Sequence, residues 1–145
     1  MNMWIMLSDA FLSVVRKDCA PGQLLVRARR EGDIQRVFGP HVAVERDVNA
    51  DYLYRAKIAE EEVAEVMRRE VLSISYPNFK NSVRDQALHD AYLGCWHALA
   101  RTQDPPPYSG RRATRSLYED EQEIAKRSQK PIAQRKAKPT QESKP

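Results

Sequence analysis

The apolar patterning of this chain stops near residue 102, and its net charge begins there. Up to that point apolar residues recur at periods of two or about 3.6, the spacings of strand and helix. Residues 1–102 hold 14 Lys and Arg against 14 Asp and Glu, whereas residues 103–145 hold 10 against 6, with six of the nine prolines. The whole formal charge of +4 is therefore the tail's. Only the head has apolar faces to bury. The tail cannot offset the entropy of ordering itself. The chain reads as a compact domain over 1–102, then a Pro-rich break and a basic, largely disordered tail over 103–145.

A head of this length suits one small core. Trp4 to Leu7 and Ala10 to Val15 are short apolar runs, read as a hairpin or one bent strand. Gln23 to Arg30 alternates, with Leu24, Val26 and Ala28 on one face and Leu25, Arg27 and Arg29 on the other. Asp33 is positioned to cap a short helix, Ile34 to Phe38, that Gly39-Pro40 stops. His41 to Asp47 alternates again, with Val42 and Val44 inward. Tyr52 to Ile58 makes a further strand, with Tyr52 and Tyr54 opposite in parity to Arg55 and Lys57.

A helix from about Ala59 to Leu72 starts with Glu60, Glu61 and Glu62 and ends near Arg68 and Arg69, as the helix dipole favours. Its stripe is Val63, Val66, Met67 and Val71. The last helix begins near Asn81, with Ser82 and Asp85 as a loose capping box. Its stripe is Leu88, Ala91, Tyr92, Cys95 and Leu99. This order predicts an α+β domain: an antiparallel sheet of four or five strands covered on one face by two or three helices. In the tail, Leu117 to Lys126 can form a short charged helix.

No run of about 18 apolar residues exists to span a bilayer. The leading segment has no basic start and meets Asp9 at once, so it does not read as a signal peptide. A cytoplasmic protein is expected, with Cys19 and Cys95 as free thiols.

Chemistry-bearing residues are few. His89 shares a helix face with Asp85, and His97 lies two turns on, roughly 12 Å along the axis. That separation is too long for one metal ion, so neither a metal nor a cofactor is expected. The glycines of the head are isolated and form no phosphate loop. A small enzyme or small-molecule binder using His89, Asp85 and His97 is the alternative reading.

Two features favour binding instead. Arg27, Arg29, Arg55 and Lys57 share the outer sheet face and can meet phosphates. Glu45 and Asp47 can equally pair with them and neutralise the patch. Base stacking lacks its aromatics there, given the tyrosine parity. The linker Ser75 to Val83 carries Tyr76, Asn78, Phe79 and Lys80. Its ordinary role is a staple for the last helix, and its functional role is an exposed loop that grips a partner. In the tail, Arg111, Arg112, Arg115, Arg135, Lys136 and Lys138 offer non-specific attachment to DNA or RNA.

The strings Trp4 to Val15, Leu24 to Phe38, Tyr76 to Val83 and Leu88 to Trp96 resemble a group of small uncharacterised bacterial and phage-borne proteins. The resemblance spans residues 1–102. It implies a bacterial or mobile-element setting and transfers no ligand or catalytic residue. Small phage proteins of this size often act by binding a host nucleoprotein machine, an analogy of genre and not of residues. The expectation is a non-enzymatic interaction protein of that origin, binding a protein or nucleoprotein, such as a phage-type inhibitor of a host nucleic-acid machine. A homodimer is the further partner considered.

Overall fold

The computed structural model describes residues 2–107 together with Lys126. The described residues fall into two units, divided between Ser82 and Val83. The first holds strands β1 (Asn2–Met6), β2 (Phe11–Val15), β3 (Gln23–Ala28), β4 (Glu45–Arg46) and β5 (Tyr54–Ala59). It also holds helices α1 (Asp33–Phe38), α2 (Glu60–Leu72) and the single turn α3 (Phe79–Ser82). The five strands form one sheet in the order β1-β2-β3-β5-β4, with every neighbouring pair antiparallel. The predicted α+β class and sheet are observed.

Register follows the period-two pattern. Leu12, Val14, Val26, Ala28, Ala56 and Ile58 lie buried on one face, packed with Ile34, Val37 and Phe38 of α1 and Val63 and Val66 of α2. Fully burying an aliphatic side chain of this size contributes about 1.5–3 kcal/mol, so this layer carries the unit. Val42 and Val44 pack against it as expected, although the strand predicted over 41–47 is only Glu45–Arg46. Pro40 and a turn closed by the Val42 N–H on the Gly39 carbonyl (3.3 Å) hold the residues before it.

Asp33 does not cap α1. Gly32, at φ 82°, occupies the cap position, and no side chain bonds there. Asp33 sits in the first turn and is buried. Its Oδ2 accepts the Phe11 N–H at 3.3 Å, and its Oδ1 lies 2.8 Å from Arg36 and 3.6 Å from Arg30. A distant donor and two guanidiniums have won this carboxylate from its local role, and they tie the β1–β2 hairpin to α1.

The end of α2 also departs from expectation. Val63 and Val66 are buried and Met67 packs beside the core, but Val71 is exposed. The core cluster ends with Met67, and the last turn of α2 runs past it.

The second unit contains α4 (Gln86–Ala100). Asp85 is its N-cap outright, accepting the Leu88 N–H at 2.9 Å. Ser82 is not part of the cap, since its hydroxyl donates to the Phe79 carbonyl at 2.7 Å. Leu88, Asp90, Tyr92, His97 and Ala100 are buried, whereas Ala91 and Leu99 are exposed and Cys95 is half-buried. No helix among the described residues is long and apolar enough to cross a membrane.

Candidate functional site

The second sheet face carries the expected cations. Pairing puts Trp4, Ser13, Arg27, Arg55 and Glu45 in one row across all five strands. Arg27 and Arg55 are directly opposed, so two like charges meet in the middle of the sheet. Both are well covered, with side chains 13% and 20% exposed. Each has a carboxylate nearby: Asp51 lies 3.9 Å from Arg27, and Asp47 lies 3.7 Å from Arg55. Arg27 also donates to the Ser13 hydroxyl at 2.8 Å. Of the carboxylates considered from the sequence, Asp47 pairs with Arg55; the partner of Arg27 is Asp51, which the sequence reading did not name.

Tyr52 departs from the predicted parity. β5 starts at Tyr54, so Tyr52 lies in the preceding turn, where strand alternation does not apply. Its ring takes the Arg27 and Arg29 guanidiniums at 4.5 and 4.3 Å from its centroid. Arg29 also donates to the Asp51 carbonyl at 2.7 Å. Tyr52 itself is buried, so it holds the arginines and offers no open face to a base. Lys57 is exposed, and it lines a cleft of about 300 Å³ with Arg46, Arg55, Asp18, Glu45 and Asp47. Three cations and three carboxylates leave that cleft without a dominant sign.

The segment from Val71 to Lys80 has a different character. Val71, Leu72 and Ile74 are 65%, 70% and 54% exposed. Three large aliphatics within four residues stand exposed where α2 ends, with Ser73 between them. Tyr76 and Phe79 follow, half-buried, with ring centroids 5.9 Å apart and a tilted arrangement. Asn78 is exposed, and its side-chain oxygen accepts the Lys80 N–H at 3.0 Å, which shapes the start of α3. Sequence reasoning selected Tyr76, Asn78, Phe79 and Lys80 but missed Val71, Leu72 and Ile74. The available signal was Ser73 and Ser75 interrupting an apolar run after two turns of helix had already supplied the core.

On α4, Asp85 and His89, which share a helix face by their spacing, each make a contact within the helix. Asp85 serves the helix start. His89 Nδ1 lies 3.4 Å from Asp90 Oδ1, which also accepts from the Gln86 amide at 2.8 Å. His97 is buried beside Trp96, with ring centroids 5.3 Å apart, and its Nδ1 has no hydrogen-bond partner among the described residues. No group of three or more metal-ligating side chains is present among the described residues. Cys19 and Cys95 are free thiols. The tail cations Arg111, Arg112, Arg115, Arg135, Lys136 and Lys138 lie outside the described residues. No family model, curated protein or solved structure matches this chain.

Proposed function

We propose that this chain is a non-enzymatic interaction protein that docks on a protein or nucleoprotein partner through residues 71–80. One observation carries the reading: Val71, Leu72 and Ile74 stand exposed in series, flanked by the Tyr76–Phe79 pair. Single exposed aliphatics are ordinary, whereas contiguous ones beside aromatics mark contact surfaces. Lys80 adds a cation within the same segment. Arg27 and Arg55 are already engaged by carboxylates, so the tail is the main source of attraction to phosphate. On this reading the tail adds salt-sensitive, sequence-independent attachment to DNA or RNA, and the head supplies specificity. The setting is bacterial or mobile-element, and the function is of the kind phage proteins exert on host nucleic-acid machines.

The test is capture from a bacterial lysate with the full chain, with and without nuclease. A protein partner that persists after nuclease is expected. If everything captured is released by nuclease, nucleic acid alone is bound and the docking assignment fails.

A second reading, a small-molecule binder on α4, draws on the buried, unpartnered Nδ1 of His97. Such orphaned polar atoms call for an explanation. Ligand-dependent thermal stabilisation that is lost in His97→Phe supports it. Equal behaviour of the two proteins removes it.

A further inference from the structure

We propose that a second copy of this chain pairs with the free edge of β1, joining two sheets antiparallel about Trp4. This surface is separate from residues 71–80, and the proposal does not depend on that docking role. Among the described residues β1 and β4 are the two edges of the sheet, and they differ in kind. β4 is two residues long, Glu45 and Arg46, both charged and exposed. Short charged edges resist the addition of another strand. β1 is five residues long and contains neither charge nor proline. No Asp, Glu, Lys or Arg occurs before Asp9. Trp4, in the middle of the strand, is 64% exposed. An uncharged edge of this length, with exposed Trp4 at its centre, is a template for strand pairing.

The hairpin register determines which backbone groups are available. The Leu7 N–H donates to the Ala10 carbonyl at 2.9 Å, so Leu7 and Ala10 are a hydrogen-bonded pair. Antiparallel ladders alternate bonded and non-bonded pairs. Ile5–Leu12 and Met3–Val14 are then the next bonded pairs, and Asn2, Trp4 and Met6 direct their N–H and C=O groups away from β2. These positions are symmetric about Trp4. An antiparallel second β1 sets Trp4 opposite Trp4 and Asn2 opposite Met6, each pair exchanging two hydrogen bonds. A two-fold axis therefore satisfies the edge with a copy of itself, as a self-complementary interface requires. The strand brings no side-chain charge to that axis. Phe11 supports the Trp4 indole edge-on, with ring centroids 6.0 Å apart.

The experiment is sedimentation equilibrium of the full chain, with Trp4→Lys as the disrupting variant. Trp4 is exposed, so the fold tolerates lysine there, and far-UV circular dichroism checks this. A dimer is expected for the parent chain. Weakening of at least about tenfold is expected for Trp4→Lys, which sets like charges across the axis. The register is checked by placing Trp4→Cys in a chain carrying Cys19→Ser and Cys95→Ser. Opposed residues in a bonded pair lie about 5.5 Å apart at Cα, within disulfide reach. An intermolecular disulfide forming under mild oxidation is expected. A parent chain that is monomeric at every concentration, a dimer that Trp4→Lys leaves intact, or a dimer that does not cross-link at Trp4→Cys overturns the proposal.

Discussion

Asp33 shows how one side chain can override a local rule. It had the position and chemistry of a helix cap, yet it holds a strand N–H and two arginines instead. Asp33→Ala leaves the Phe11 N–H and both guanidiniums without that acceptor. The expected loss is about 2–3 kcal/mol, from hydrogen bonds to a charged group, measured by urea unfolding. Gly39 makes a second claim at this scale. At φ 98° and ψ 158° it occupies backbone territory that essentially only glycine uses, and a Cβ there meets His41 Nδ1 at 2.8 Å. Gly39→Ala should destabilise by about 1–3 kcal/mol. At Gly22 (φ 78°) a Cβ meets nothing within 4 Å, so alanine should cost less there. Equal effects at the two glycines would contradict this account of Gly39.

At the scale of elements, alternation and helical spacing located β3, β5 and both long helices, whereas the N-terminal runs stood open as a hairpin or one bent strand and the strand over 41–47 is only Glu45–Arg46. Leu24, Val26 and Ala28 alternate on the face of β3 that meets the core, Val26 and Ala28 buried and Leu24 partly so, while Leu25, placed outward with Arg27 by its parity, is buried as well. The failures lie where an element outruns its partner. Val71 keeps the helical spacing of Val63 and Val66, but spacing does not say where the core beneath ends. Tyr52 was assigned a strand parity although it precedes the strand, and its arginine contacts were illegible for that reason. Burial separates the two kinds of aliphatic. Ile58→Ala in β5 removes a buried side chain and should cost about 2–5 kcal/mol. Val71→Ser, Leu72→Ser and Ile74→Ser should each stay within about 0.5 kcal/mol of the parent, by thermal or urea unfolding. The α2 surface adds a pH dependence of known sign. Hydrogen bonds from Arg68 hold the Glu65 carboxyl below its ordinary range. A carboxyl lowered by folding stabilises above its unfolded value, and the effect is lost as pH falls through the folded value. Both side chains are exposed, so the effect is small and weakens in salt.

For the molecule as a whole, charge and proline content suggest a patterned head and a basic tail; residues 108–145 other than Lys126 lie outside the described structure, and the described units divide between Ser82 and Val83. The proposed docking segment was only half visible in the sequence: the aromatics stood out in an odd linker, while the aliphatics were hidden inside a helical pattern. Replacing Arg111, Arg112, Arg115, Arg135, Lys136 and Lys138 with Gln in the full chain should weaken binding to DNA or RNA and flatten its salt dependence. The logarithmic slope falls by about 0.9 for each duplex phosphate that the tail no longer neutralises. Unchanged affinity and slope would place nucleic-acid binding in the head. The central claim, that residues 71–80 dock on a protein, is tested most directly by nuclease-treated lysate capture, comparing the parent with the combined variant Val71→Ser, Leu72→Ser and Ile74→Ser. The account predicts a captured protein partner that the folded variant no longer retains. Equal retention of the same partner by both chains would contradict it.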